Sequence, residues 1–133
     1  MFMLWRTHLA LGLLTALLFV EKVSYKGVFI CVVLIASLLP DVDSMYSFLG
    51  RFKILRPLQW AVGHRGILHS FTFSILVSLL FAFFIPRLAF PFFVGYGIHL
   101  IGDSFTVDGI QPWWPSKAKM EGNKIPIFRG FLI

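Results

Sequence analysis

Residues 67–105 read ILHSFTFSILVSLLFAFFIPRLAFPFFVGYGIHLIGDSF, two apolar runs parted by Pro86-Arg87. Each run is long enough for a bilayer-spanning helix, which needs about 17–25 residues. The proline-arginine pair reads as the turn between them. Two such runs joined by a tight turn lie antiparallel, so the start of the first and the end of the second share one side. That start carries His69, and that end carries His99 and Asp103. Ionisable groups at the borders of apolar spans are costly and are functional suspects for that reason.

Working outward, two further runs have the same character, Met3–Val20 and Val23–Leu39, the second with Lys26 able to snorkel. With Ile67–Ile85 and Leu88–Phe105 they predict an all-α membrane protein. The expected architecture is one integral domain over 1–133, a bundle of about four transmembrane helices. A polar interfacial stretch, Pro40–Gly66, separates the second and third helices and is expected to hold a short helix over Met45–Phe52. The Pro/Gly-rich tail after Phe105 reads as irregular, with Trp113-Trp114 suited to the headgroup level. Composition excludes an ordinary soluble domain, since 58% of residues are hydrophobic and only 14% charged, with a mean hydropathy of +0.84. Glu21-Lys22-Val23-Ser24-Tyr25 follows the first run where a signal peptide would have small residues, so a retained helix is expected. The lone Cys31 permits no internal disulfide.

Following the chain through four crossings brings seven residues to one face. His8 enters the first helix there, and Asp41 and Asp43 close the second. His64 and His69 open the third, and His99 and Asp103 end the fourth. Nine of the twelve Lys and Arg fall on that side: Arg6, Arg51, Lys53, Arg56, Arg65, Lys117, Lys119, Lys124 and Arg129. The positive-inside rule makes it cytoplasmic, with both termini inside the cell (plasma or inner) membrane. A net charge of +6 would also suit nucleic acid. The basic residues, however, sit in short loops and the tail without an aromatic-basic groove, which points to anionic lipid headgroups and to no nucleic-acid partner.

Histidine and aspartate together are the ligand set of zinc, manganese and iron. His99 and Asp103, four apart, share a helix face. Asp41 and Asp43 lie two apart behind Pro40, so an extended or turn backbone lets both carboxylates approach one centre. His64 and His69 are five apart, workable if His64 precedes the helix, as Gly66 between them suggests. Four imidazoles and three carboxylates exceed a single tetrahedral site and would suffice for two metals about 3.5–4 Å apart. Each residue taken singly has a plainer reading, such as a helix cap, a turn or a hydrogen-bonded histidine. Their convergence on one face is what points to metal. Arg65 would hold a substrate phosphate bidentately or serve only as a cytoplasmic positive charge. Ser70 reads as a helix-packing serine rather than a nucleophile, and Asp108 as a turn residue.

The blocks Leu38-Leu39-Pro40-Asp41-Val42-Asp43, Gly63-His64-Arg65-Gly66-Ile67-Leu68-His69-Ser70 and Gly95-Tyr96-Gly97-Ile98-His99-Leu100-Ile101-Gly102-Asp103 occur in a known order. They resemble the signature of the YdjM-like family of LexA-regulated, membrane-bound, predicted metal-dependent hydrolases. His8 and the later Thr106, Gly109, Trp114 and Pro115 are similar to the family's pattern as well. The resemblance implies about four transmembrane helices, an embedded metal site and kinship with zinc-dependent phospholipases and nucleases. The chain departs at Ser44, where many relatives carry a histidine, and is short for the family.

The expected function is therefore a membrane-embedded metal-dependent hydrolase acting on a lipid-linked phosphoester or pyrophosphate. His8, Asp41, Asp43, His64, His69, His99 and Asp103 are the expected metal ligands, for one or two ions of zinc or else manganese or iron. Asp41 or Asp43 is the expected bridge between metals or base, with Arg65, helped by Lys53, on the phosphate. Membrane lipid is the expected substrate and solvent. The alternatives are a metal-binding or metal-transporting membrane protein, a lipid amidase or esterase, and a scaffold that docks a soluble partner through the Pro40–Gly63 loop and the basic tail.

Overall fold

The structure, a computed structural model, describes residues 5–43, 50–62, 66–106 and 110–116, with only the backbone of Asp43 and Val62. Among the described residues the regular elements are helical, in keeping with the all-α expectation. They are α1 (Trp5–Phe19), α2 (Lys26–Ala36), α3 (Arg56–Val62), α4 (Phe71–Phe84) and α5 (Pro86–Ser104), with 3-10 turns at Val20–Lys22, Leu39–Asp43, Lys53–Leu55 and Ile67–His69.

α5 is the central element, packed against α4, α2 and α1. Its buried residues include Gly95, His99 and Asp103, a stripe at i, i+4 and i+8. α1 repeats that stripe with buried His8, Gly12 and Ala16. α2 buries Phe29, Val33 and Ala36. Glycines let these faces meet closely. A Cβ at Gly95 would stand 2.3 Å from the Val33 carbonyl oxygen and 2.9 Å from the Ala36 Cβ. One at Gly12 would stand 2.8 Å from Ser37 Oγ. Around these contacts lie two apolar clusters, Ala16, Phe29 and Val33 in one, and Ala36, Phe92, Tyr96, Leu100 and Ile110 in the other.

Helix ends are set by local side-chain chemistry, and this shortens α2 and α4 relative to the expected runs. α2 stops at Ala36 and not Leu39, because Ser37 Oγ donates to the Leu34 carbonyl at 2.7 Å and Pro40 disfavours helix in the residue before it. α4 begins at Phe71 and not Ile67, because Ser70 is extended and its hydroxyl accepts from Phe73 N–H. That is an N-cap. The same hydroxyl donates to the Ile67 carbonyl at 2.6 Å, so its bonds bear out a structural role. α5 starts at Pro86, two residues before the expected Leu88, so it takes in the expected Pro86-Arg87 turn, with Pro86 in its first turn, where a missing N–H costs nothing. The short helix in the polar stretch forms at Arg56–Val62. The expected Met45–Phe52 helix lies largely outside the described residues, and Gly50–Phe52 is turn and bend.

At 1.5 Å per residue α1, α2 and α4 are about 22, 16 and 21 Å long, against a hydrocarbon core of about 30 Å. Among the described residues no helix is long and apolar enough to cross a membrane. α5, with 19 residues, has the length, but its glycines, prolines, arginine, histidine and aspartate dilute its apolarity. The side chains are nevertheless distributed inside out. α4 buries Ser74, while Leu79, Leu80, Phe83 and Phe84 are exposed, Phe83 by 81%. Leu14, Leu17 and Leu18 of α1 are exposed likewise. Exposed apolar surface of this extent marks a membrane or partner contact. The described part of the tail is irregular, as expected, and the Pro112 carbonyl accepts from Phe71 N–H at 2.8 Å.

Gly95→Ala is expected to destabilise the bundle by about 1–3 kcal/mol, since the added methyl meets backbone that has nowhere to go. Gly27→Ala, where nothing lies within 4 Å of the new Cβ, is expected to be neutral or to stabilise by about 0.5–1 kcal/mol. Denaturant unfolding in detergent micelles distinguishes the two, and equal stabilities would refute the close approach of α2 and α5.

Candidate metal centre

The ends of four helices meet at Asp103, in the last turn of α5. Its Oδ1 lies 3.2 Å from Nε2 of His8, near the start of α1. Its Oδ2 lies 3.1 Å from Nε2 of His69, in the turn before α4, and 3.1 Å from Nε2 of His99, one turn back on α5. Asp41, in the turn after α2, brings Oδ1 to 3.5 Å from His99 Nε2 and 3.8 Å from His69 Nε2. Asp41, His69, His99 and Asp103 each place one ligand atom within 4.8 Å of all the others. His8 meets this group from the side, its ring stacked on His99 with centroids 3.7 Å apart and 15° between planes.

The orientation of His99 decides what this group is for. Its Nδ1 lies 2.7 Å from the Ser37 carbonyl oxygen. A carbonyl only accepts, so Nδ1 carries the hydrogen and the neutral ring turns a bare Nε2 lone pair toward the two aspartates. That Nε2 is buried and makes no hydrogen bond. Lone pairs facing carboxylate oxygens at 3.1 and 3.5 Å repel unless a cation or a proton stands between them. A histidine pinned through one nitrogen to a backbone carbonyl, with the other aimed inward, is the usual posture of a metal ligand.

The spacing fits a metal as well. Four donors about 2.0–2.2 Å from one tetrahedral centre lie about 3.3–3.6 Å apart. The closest Nε2–Oδ separations here run from 3.1 to 3.8 Å. Two nitrogens and two carboxylate oxygens suit zinc, manganese or iron. Three of the four side chains are at most 2% exposed, whereas that of Asp41 is 16% exposed. The centre therefore opens to its surroundings at Asp41.

Two supports carry no sequence signature. Gln59 of α3 is buried and donates through Nε2 to the carbonyls of Val42 at 3.0 Å and Gly50 at 2.5 Å. It thereby ties down the turn that bears Asp41. The Tyr96 hydroxyl of α5 donates to the Leu68 carbonyl, fixing the turn that bears His69. Of the residues singled out in the sequence, His8, Asp41, His69, His99 and Asp103 are brought together. Asp43 lies in the same turn as Asp41, but its side chain is outside the described residues, as are Ser44, His64, Arg65, Asp108 and Gly109. Lys53 is an exposed residue of the turn before α3.

A family model described as "YdjM inner membrane protein" matches residues 3–133. The chain belongs to the YdjM family. It is 38% identical over 103 residues to the inner membrane protein YdjM of Escherichia coli strain K12, covering 71% of this chain and 51% of that protein. The Shigella flexneri protein of the same name gives the same figures. The uncharacterized protein YvsG of Bacillus subtilis strain 168 is 31% identical over 98 residues, 71% of this chain and 59% of that protein. The matched part is thus about half the length of these YdjM relatives. No solved structure matches.

Elemental analysis of purified protein is expected to find divalent metal in this YdjM-family chain and to find it lost from Asp103→Ala and His69→Ala. Gln59→Leu, which removes support from behind Asp41, is expected to weaken metal affinity about tenfold. Metal retained in full by Asp103→Ala would refute the cluster.

Proposed function

We propose that this protein is a membrane-embedded, metal-dependent hydrolase that cleaves a phosphoester or pyrophosphate of a lipid-linked substrate. The pinned His99, aiming its second nitrogen at the buried carboxylate of Asp103 and the partly exposed one of Asp41, is the observation that carries this reading. His69, His99, Asp103 and Asp41 hold the ion, with zinc the first choice. His8 holds Asp103 in place through its second oxygen. A bound divalent metal supplies Lewis acidity toward a phosphoryl or carbonyl oxygen and toward water.

Asp41, on the exposed edge of the group, is where water and substrate arrive. Its carboxylate takes a proton from the attacking water, whose oxygen bonds to phosphorus as the bond from phosphorus to the leaving oxygen breaks, and Asp41 then returns that proton to the leaving oxygen. Asp43, next to it in the turn, is the alternative base. Arg65, two residues after Gly63 in the sequence, is the candidate for gripping the phosphate, with Lys53 as a second charge. A second ion held through His64 and Asp43 would complete a two-metal site.

The family's name, together with the exposed leucines and phenylalanines of α1 and α4, supports a place in the inner membrane. α1, α2 and α4 are short for a crossing, so the bundle would draw the bilayer thin around them. The excess of Lys and Arg on the side of the cluster supports a cytoplasmic location for the centre and both termini. A centre at that depth meets a lipid headgroup without lifting the lipid from the bilayer.

Protein reconstituted into vesicles and loaded with zinc is expected to hydrolyse one class among phosphatidic acid, phospholipid and prenyl pyrophosphate. EDTA should abolish the activity, zinc should restore it, and Asp41→Asn should slow it by about a hundredfold or more. Cleavage of a lipid amide or ester in place of these would move the substrate class and keep the centre. Metal-loaded protein that cleaves none of them sinks the hydrolase reading, and zinc uptake into the vesicles would then favour a carrier.

A further inference from the structure

The three segments that carry the metal ligands also wall an apolar cleft. Leu39 and Val42 flank Asp41, Leu68 precedes His69, and Tyr96 lies one turn before His99. These four residues line the cleft together with Phe73 and Val77 of α4. Its volume is about 190 Å³. The one hydroxyl in that set, on Tyr96, is committed to the Leu68 carbonyl, so the walls offer a ligand no hydrogen bond.

Protein interiors hold few voids larger than a water molecule, and apolar ones stay dry. A cavity of about 150 Å³ takes a six-carbon ring, so this cleft would take about six to eight carbons of a chain. Leu79, Leu80, Phe83 and Phe84, the next turns of α4 beyond Val77, are exposed and apolar. Hydrocarbon therefore borders one end of the cleft-lining helix, and the residues around the metal centre border the other end.

We infer that the cleft between α4, α5 and the Asp41 turn seats one hydrocarbon chain of a membrane lipid whose phosphate headgroup lies at the metal centre. The inference rests on the hydrolase reading and sharpens it. The substrate enters chain first from the bilayer, and it is selected by the stretch of chain nearest the headgroup. Phe73 and Tyr96 touch, with ring centroids 5.8 Å apart, so they form one closed wall along which a straight methylene segment lies flat, and a bulky branch or ring beside the headgroup does not.

The test uses zinc-loaded full-length protein in phosphatidylcholine vesicles and a dodecyl phosphate bearing a photoactivatable diazirine within its first eight carbons. Mass spectrometry maps the labelled residues. Saturable labelling of Leu39, Leu68 or Val77, competed by unlabelled dodecyl phosphate and about tenfold less by dodecanol, supports the inference. Val77→Phe, which fills the cleft, should lower that labelling about tenfold or more while metal content stays at the wild-type level. Phe73→Ala, which enlarges the cleft, should admit a branched prenyl phosphate probe that the wild type excludes. Labelling confined to Leu79, Phe83 and other outer residues, or unchanged in Val77→Phe, overturns it.

The two readings fail separately. A protein that hydrolyses lipid but is labelled only on its outside loses the cleft and keeps the enzyme. One that is labelled in the cleft but cleaves nothing loses the enzyme and keeps a chain-binding site.

Discussion

Asp103 is the point on which the rest of the molecule depends. A carboxylate that is almost wholly buried at the end of a helix requires partners, and here three imidazoles from three different parts of the chain come within 3.1–3.2 Å of it. To deliver them, α1 must lie against α5 at His8, the turn before α4 must fold back, and α5 must present His99 one turn away. Each of these placements also fixes a packing contact. The stripe His8, Gly12, Ala16 continues from the cluster into the α1–α2 interface, and Gly95, His99, Asp103 does the same between α5 and α2. Site and core are one construction, with small residues at the crossings and ionisable ones at the shared end.

The rigidity of that end comes largely from the backbone. Ser37 ends α2 and lends its carbonyl to His99, Leu68 lends its carbonyl to Tyr96, and Val42 lends its carbonyl to Gln59. Each bond holds a ligand-bearing turn to a neighbouring helix. An ion bound in the middle would find its donors oriented in advance, so less of its binding energy would be lost to ordering side chains. The exposed carboxylate of Asp41 is the one member of the four whose surroundings leave room for an incoming group, which is where a reaction would have to begin.

Much of the site was legible in the sequence, and for a physical reason. His99 and Asp103 share a face by helical periodicity alone, and His8, Asp41 and His69 follow once the apolar runs alternate in direction. The all-helical fold was legible from the same runs. Helix length was not, because hydropathy does not register that Ser37 and Ser70 turn their hydroxyls onto the backbone and end α2 and start α4 inside apolar sequence. Nor were Gln59 and the Ser37 carbonyl, since any residue has a carbonyl and a lone glutamine on a short helix has no periodic partner. α3 in the polar stretch was not foreseen either, since Arg56–Val62 has no apolar periodicity to mark it, and the expected Met45–Phe52 helix lies largely outside the described residues.

The shortness of the helices and the depth of the cluster are linked. A site built from helix ends sits wherever those ends are, and in the proposed placement α1, α2 and α4, at about 16–22 Å, would bring their ends inside a hydrocarbon layer of about 30 Å. Longer helices would carry His8, Asp41 and His69 out into water, away from the linkage that the proposed reaction cleaves in a lipid still resting in its leaflet. On the proposed membrane placement, ending α2 at Ala36 and starting α4 at Phe71 would set the turns with Asp41 and His69 at the level where headgroup meets chain. The same two turns form walls of the apolar cleft, so one early halt in each helix provides both a polar centre and an apolar groove beside it. Extending α4 back through Ser70 would straighten the turn that holds His69 and Leu68 and would dismantle the two features together.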